Sequence, residues 1–227
     1  MSPAMRTQPN DDLGQLPGAT GPRQDDIATT LAGRYEQRGA SQPYTSIGDR
    51  LLVALNPNES TELASDQTAT QYIDDYRDTS VAREALPPHV FKVAEQAYLH
   101  MRRTGLSQSI TFIGASGSGK TEQRRLATRF FSLIRAHSKK DSRLYSRIQN
   151  ADIVLEAFSH AKTAAHNNGS RLGSYAELQF DQRGRTVGAK TLTYMLEKAR
   201  VTHVPQGERS FHVLYYLTNG ATADERA

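Results

Sequence analysis

Cysteine is missing from all 227 residues, which excludes disulfides and any metal site built on thiolates. The 7 histidines show no metal-ligand spacing either. No apolar run exceeds about five residues, against the roughly 20 needed to span a bilayer as a helix, and the N-terminus lacks the apolar core of a signal peptide. Charge of one sign is not in large excess: 28 basic side chains face 24 acidic ones, for a net +4. That small balance does not by itself argue for nucleic acid, which calls for clustered Lys and Arg. The Lys/Arg run from Arg124 to Arg147 reads as a solvated helix face and loop. Apolar residues make up only 37%, and mean hydropathy is −0.62. These values point to one domain carrying a polar segment, or to part of something longer.

Composition divides the chain. Residues 1–43 hold Pro3, Pro9, Pro17, Pro22 and Pro43 among many Asp, Gln, Thr and Gly. They read as a disordered leader, because little apolar surface is available to offset ordering entropy. From Tyr44 the pattern changes. Leu51–Leu55 reads as a buried strand stopped by Asn56-Pro57. Residues 58–80 are polar and show no clear period. Pro87-Pro88 opens an amphipathic helix with Phe91, Ala94, Tyr98 and Met101 on one face. Further on, Tyr175–Phe180 and Thr186–Ala189 read as strands around Asp181-Gln182-Arg183-Gly184. Asp181 tempts as a second metal ligand at a strand end, but a hairpin turn explains it better. Tyr215, Tyr216 and Leu217 fall in a C-terminal helix closed by Gly220 and are expected in the core.

The segment that carries chemistry lies between these. Ile110–Ile113 reads as a short strand, and Leu126, Phe130 and Ile134 recur every four residues as a helix reaching about His137. Between them stands Gly114-Ala115-Ser116-Gly117-Ser118-Gly119-Lys120-Thr121, a full G-x-x-x-x-G-K-[ST] pattern in a strand–loop–helix context. Its glycines let successive backbone N–H groups curl around a phosphate. The helix start adds about half a positive charge. In such loops the lysine, here Lys120, reaches the β- and γ-phosphates, and the hydroxyl of Thr121 ligates Mg²⁺.

These residues resemble the myosin motor head. The loop followed by Glu122 is similar to that family's G-E-S-G-A-G-K-T-E. Ile153–Phe158 and Ala161-Lys162-Thr163 resemble the approach to its second nucleotide loop, switch I. Asn168-Gly169-Ser170-Arg171-Leu172-Gly173 stands where myosins carry N-S-S-R-F-G. Leu196–Val201 and Glu208–Val213 resemble L-L-E-K-S-R-V and E-R-N-F-H-I-F. Upstream, Ala54–Pro57 and Leu86–Phe91 are similar to V-N-P and P-P-H-I-F/Y. The blocks keep the family's order from about Tyr44 onward. Val204–Arg209, followed by Val213–Leu217, resembles most the myosin-like head that precedes the catalytic region of certain fungal chitin synthases.

The resemblance implies an α/β fold: a P-loop NTPase-type sheet with flanking helices, formed over 44–227 as the N-terminal part of a motor domain. The chain is expected to be a fragment that stops before switch II. The resemblance implies ATP and Mg²⁺ as ligands and actin filaments as a partner, with no nucleic acid. It gives Gly114–Thr121 and Asn168 to the nucleotide and Thr121 and Ser170 to the metal. Lys120, Ser170 and Arg171 are the implied catalytic groups, Arg171 through a pair with a switch II glutamate. A cytoplasmic location follows, on a membrane-anchored parent carried by secretory vesicles to the plasma membrane. The sequence departs from the family at four places. His166 replaces the asparagine that begins switch I, Gly169 replaces its proton-relaying serine, and Ala115 replaces the phosphate-loop glutamate. Asn58-Glu59-Ser60 follow Asn-Pro where an adenine-flanking tyrosine is usual. Binding with slow hydrolysis is therefore the implied activity. A small kinase or GTPase is an alternative, although no N-K-x-D guanine motif or Arg-rich lid is found. A non-catalytic module binding actin or an adaptor is a second alternative.

Overall fold

The computed structural model describes residues 12–13, 24–38, 42–48, 50–59, 61–77, 86–134 and 139–226. Two compact units divide the chain. Residues 1–113 and 118–134 form one, and 114–117 with 135–227 form the other.

In the first unit, helix α1 (Gln24–Arg38) precedes strands β1 (Tyr44–Ile47) and β2 (Leu51–Ala54), which pair antiparallel. A disordered leader over 1–43 is thus corrected for residues 24–38. The physical reason is tertiary: the guanidinium of Arg34 is buried, donating to Tyr44 O and bonding Thr45 Oγ1. Leu13 is also fully buried. A second departure follows. Residues 66–77, which lie in the stretch read as unpatterned, form α2 (Asp66–Arg77), burying Ala69, Tyr72 and Ile73 at helical spacing.

Helix α3 (Val90–Thr104) matches expectation, with one change. Pro87 and Pro88 precede it, and His89 is its N-cap, Nδ1 accepting from Phe91 N–H at 3.1 Å. Gly105, at φ 71°, closes it in the left-handed conformation. Helix α4 (Lys120–Leu133) packs on α2 and α3. Phe91 and Phe130 lie 5.8 Å apart, ring on ring, with His89 4.3 Å from Phe91. Tyr72 donates its hydroxyl to Pro87 O at 2.8 Å. Arg129 ties α4 to Asp66 Oδ1 and Ala64 O, both at 2.7 Å. This aromatic layer is the unit's core.

The expected strand Ile110–Ile113 is not a strand here. Its backbone is irregular, and Ile113 is 89% exposed. A strand is stabilised by its neighbours' hydrogen bonds, and among the described residues none pairs with this segment. The described sheets are three antiparallel pairs, not one sheet with the phosphate loop at a strand end.

In the second unit, α5 (Lys139–Ser159) leads into β3 (His160–Ala161), which pairs with β4 (Gly169–Ser170). Strands β5 (Gly173–Phe180) and β6 (Thr186–Tyr194) make the expected hairpin. Asp181 closes it as a turn residue: Oδ1 accepts from Arg183 N–H and Arg185 N–H, each at 2.9 Å, and Oδ2 pairs with Arg185. Helices α6 (His212–Gly220) and α7 (Ala223–Arg226) follow. α6 is helical as expected, yet Leu214, Tyr216 and Leu217 are exposed. The assignment of Tyr216 and Leu217 to the core is corrected. The turns of α6 that carry them meet too little of the described chain to cover them.

Candidate functional site

The phosphate-loop octapeptide straddles the division between units: Gly114–Gly117 belong to the second and Ser118–Thr121 to the first. On the first-unit side, Gly119 is the residue before α4, at φ 91°, a conformation open to glycine and strained for other residues. Its carbonyl accepts from Gln123 N–H at 3.0 Å, so α4 begins at Lys120. No side chain caps this helix start. The first-turn N–H groups therefore precede the helix's own hydrogen-bond ladder, at the positive end of its dipole. Ser118 Oγ is buried and finds no hydrogen-bond partner among the described residues. A buried hydroxyl without a partner costs free energy that a ligand can recover. Thr121 lies in the same first turn.

On the second-unit side, Gly117 stands at φ 76°. A Cβ added there would lie 2.2 Å from the imidazole of His166. The ring thus lies directly on the loop's backbone, and glycine is required for both reasons. His166 is itself fixed by a tight turn. Thr163 N–H donates to His166 O at 2.8 Å, and His166 N–H donates to Thr163 Oγ1 at 3.1 Å.

Strands β3 and β4 hold the second loop. Ala161 pairs with Gly169, and His160 with Ser170. Ser170 Oγ donates to Leu172 O at 3.0 Å. Gly169 has room: a Cβ there would meet nothing closer than Thr163 Cγ2 at 3.4 Å. Asn168, implied as a nucleotide ligand, has its side chain engaged. Nδ2 donates to Glu156 at 2.7 Å, and Oδ1 accepts from His212 Nε2 at 3.0 Å.

Arg171 has an acidic partner within this chain. Its Nη1 lies 3.4 Å from Glu197 Oε2, and Arg171 O accepts from Glu197 N–H at 2.9 Å. The same Glu197 oxygen accepts from Arg200 Nε at 3.0 Å. Arg200, only 3% exposed, also meets Glu208 Oε2 at 2.8 Å. Glu208 Oε1 accepts from Ala164 N–H at 3.1 Å. That backbone bond, and then the Arg200 guanidinium, hold the Glu208 carboxyl below its ordinary range. Glu197, Arg200 and Glu208 lie in blocks that resemble the family, which imply no role for them. Glu197 and Arg200 stand three residues apart, but the link from Glu197 back to Arg171 crosses 26 positions, and no local pattern shows it.

The implied residues therefore fall in two groups. Ser118, Gly119, Lys120 and Thr121 open α4 in the first unit. Gly114, Ala115, Ser116 and Gly117, with Asn168, Ser170 and Arg171, belong to the second. Asp181 is a turn residue, as expected. Among the described residues no His/Cys/Asp/Glu cluster could hold a metal, and no helix is long and apolar enough to cross a membrane.

Comparison with known proteins bears on all of this. The chain is 41% identical over 221 residues to chitin synthase 8 of Mycosarcoma maydis, covering 95% of this chain and 11% of that protein. Against the myosin IB heavy chain of Dictyostelium discoideum it is 37% identical over 219 residues, 96% of this chain and 18% of the relative. Chitin synthase 5 of Cryptococcus neoformans is 35% identical over 218 residues, 89% of this chain and 11% of that one. This chain thus spans less than a fifth of each of these relatives. The myosin head (motor domain) family matches residues 16–227, and the chain belongs to that family.

Proposed function

We propose that this chain is the Mg-ATP-binding N-terminal part of a myosin-like head, of the kind carried by fungal chitin synthases. It binds nucleotide, hydrolyses it slowly, and serves as a nucleotide-dependent tether between actin and a membrane-bound parent enzyme. The observation that carries this reading is the start of α4. A left-handed glycine, an uncapped helix end and the buried, partnerless hydroxyl of Ser118 precede Lys120 and Thr121. These features fit a polyphosphate. The N–H groups and dipole favour an anion, Lys120 adds a full positive charge, and Ser118 Oγ gains the partner it lacks.

Bound Mg²⁺ would neutralise charge on the β- and γ-phosphate oxygens. Thr121 would hold it at the start of α4, and Ser170 offers a further hydroxyl oxygen, whose bond to Leu172 O occupies the hydroxyl hydrogen and leaves lone pairs available. Arg171 supplies a guanidinium cation. Hydrolysis also needs a route for the attacking water's proton, and Gly169 has no hydroxyl to provide one. In this reading, Ile110–Ile113 joins the central sheet of the complete head, where strands from the rest of the parent would pair with it.

Lys120→Ala in the intact protein should weaken Mg-ATP binding by about 2–3 kcal/mol, the worth of a charged hydrogen bond. Titration calorimetry giving equal affinity for wild type and variant would remove the phosphate-loop reading.

A further inference from the structure

One buried guanidinium fastens both ends of the loop from Lys162 to Arg171. At the start of the loop, Arg209 N–H donates to Lys162 O at 3.0 Å, and Ala164 N–H donates to Glu208 Oε1 at 3.1 Å. The other oxygen of Glu208 meets Arg200 Nη1 at 2.8 Å. At the end of the loop, Arg200 Nε donates to Glu197 Oε2 at 3.0 Å. Glu197 then holds Arg171 twice, by side chain at 3.4 Å and by its N–H to Arg171 O at 2.9 Å. Ser210 Oγ donates to Arg200 O at 3.3 Å and Arg200 Nη1 donates to Arg209 O at 3.1 Å, which keeps the hub in place.

The chemistry of the hub explains why arginine stands there. A buried cation is costly unless paired, so Arg200 requires both carboxylates. Its fork is planar and rigid, so Nε and Nη1 hold those carboxylates at a fixed separation. Through them, the two ends of the loop are held at a fixed separation too. The links differ in strength. The contact from Glu197 to the Arg171 side chain is the longest of the set, and Arg171 is the more exposed of the two arginines. Arg171 is therefore the member that can exchange partners while Glu197 stays on Arg200.

We propose that Arg200 is a positioning residue for the nucleotide site, fixing through Glu208 and Glu197 the loop conformation that presents Ser170 and Arg171. Glu197 is the resting counter-ion of Arg171. The proposal rests on the Mg-ATP reading above. Because the clamp acts on the loop that carries the metal ligand, it governs the Mg²⁺-dependent part of ATP affinity. The part supplied by Lys120 and the start of α4 is outside its reach.

The test measures ATP affinity of the intact protein by calorimetry, with Mg²⁺ and with excess EDTA, together with thermal melting. Glu197→Gln keeps shape and removes charge; Arg200→Lys keeps charge and removes the fork. Each is expected to weaken Mg-ATP binding about tenfold, the value of one charge-assisted bond, while affinity in EDTA stays within about twofold. Glu197→Gln leaves Glu208 on Arg200 and should lower the melting temperature less than Arg200→Lys, and the unchanged EDTA affinity separates positioning from a general loss of fold. Unchanged Mg-ATP affinity in Glu197→Gln would overturn the proposal. So would equal losses with and without Mg²⁺ that track a lowered melting temperature, since that pattern marks a purely structural role. A wild type that binds no Mg-ATP, or a Lys120→Ala variant that binds it normally, would instead bring down the underlying reading, and the clamp's role with it.

Discussion

The two compact units are held together by different chemistry. The first buries a layer of rings, Tyr72, His89, Phe91, Tyr98 and Phe130, between helices. The second has Arg200 at its most buried polar position and leaves Ile153, Val154, Phe158, Tyr194 and Leu217 open. Area removed from water stabilises the first, at roughly 25 cal/mol per Å². Directional bonds around one cation organise the second, where such bonds contribute more to geometry than to net stability. The difference suits the two roles proposed. Lys120 and Thr121 open a helix whose far side is packed into rings, and so sit on a rigid support. Ser170 and Arg171 lie on a loop held by exchangeable polar links.

The largest expected effect is on the ring layer. Phe130→Ala should remove about 3–5 kcal/mol, the usual cost of emptying an aromatic core site. Amide exchange should show it as lost protection in α3 and α4. The β5–β6 amides, protected by their own pairing, should change little. Equal loss in both places would dissolve the distinction between the units.

Acid sharpens the comparison. Burial pushes His89 from 6.5 down to about 3, and its Nδ1 already accepts a hydrogen bond. The unfolded chain takes up this proton below about pH 6.5 while the folded chain refuses it. Stability present above that pH is therefore lost as pH falls toward 3, at about 1.4 kcal/mol per pH unit. Glu208 is also depressed, so its contribution is present above 4.5 and is lost only as pH falls below that value. Denaturant melts read separately in each unit should show the first weakening from pH 6.5 and the second only below 4.5. His89→Asn, which keeps an N-cap, should flatten the first response.

The smallest of these effects is local. Gly117→Ala meets both a left-handed backbone and the His166 ring. It should cost about 1–2 kcal/mol and shift the His166 ring resonances in NMR. Unmoved resonances would mean that the imidazole does not lie on the loop.

What could be read from sequence was mostly local chemistry. The phosphate loop, the Asp181 turn and the Gly105-terminated helix each follow from a few neighbouring residues. Helix α2 was missed although Ala69, Tyr72 and Ile73 carry its period, because the polar residues between them dominate the composition. The segment Ile110–Ile113 has a strand's pattern, but a pattern does not supply the neighbouring strand. The link from Arg171 to Glu197 spans 26 positions, and charged residues at that separation carry no periodic signal. Helix α1 formed because Arg34 found Tyr44 and Thr45, a contact its own composition did not announce.

In the proposed reading the head binds Mg-ATP and cleaves it slowly, because Gly169 lacks the relay hydroxyl. Single-turnover quench-flow on the intact protein, with γ-labelled ATP below enzyme concentration, measures this directly. Wild type should bind the label fully and cleave it slowly. Gly169→Ser, whose Cβ would meet its neighbours at ordinary contact distance, should speed cleavage by about 10²-fold or more, the typical worth of a positioned proton-transfer group, with affinity nearly unchanged. Rapid cleavage by wild type, or a Gly169→Ser rate equal to wild type, would contradict it.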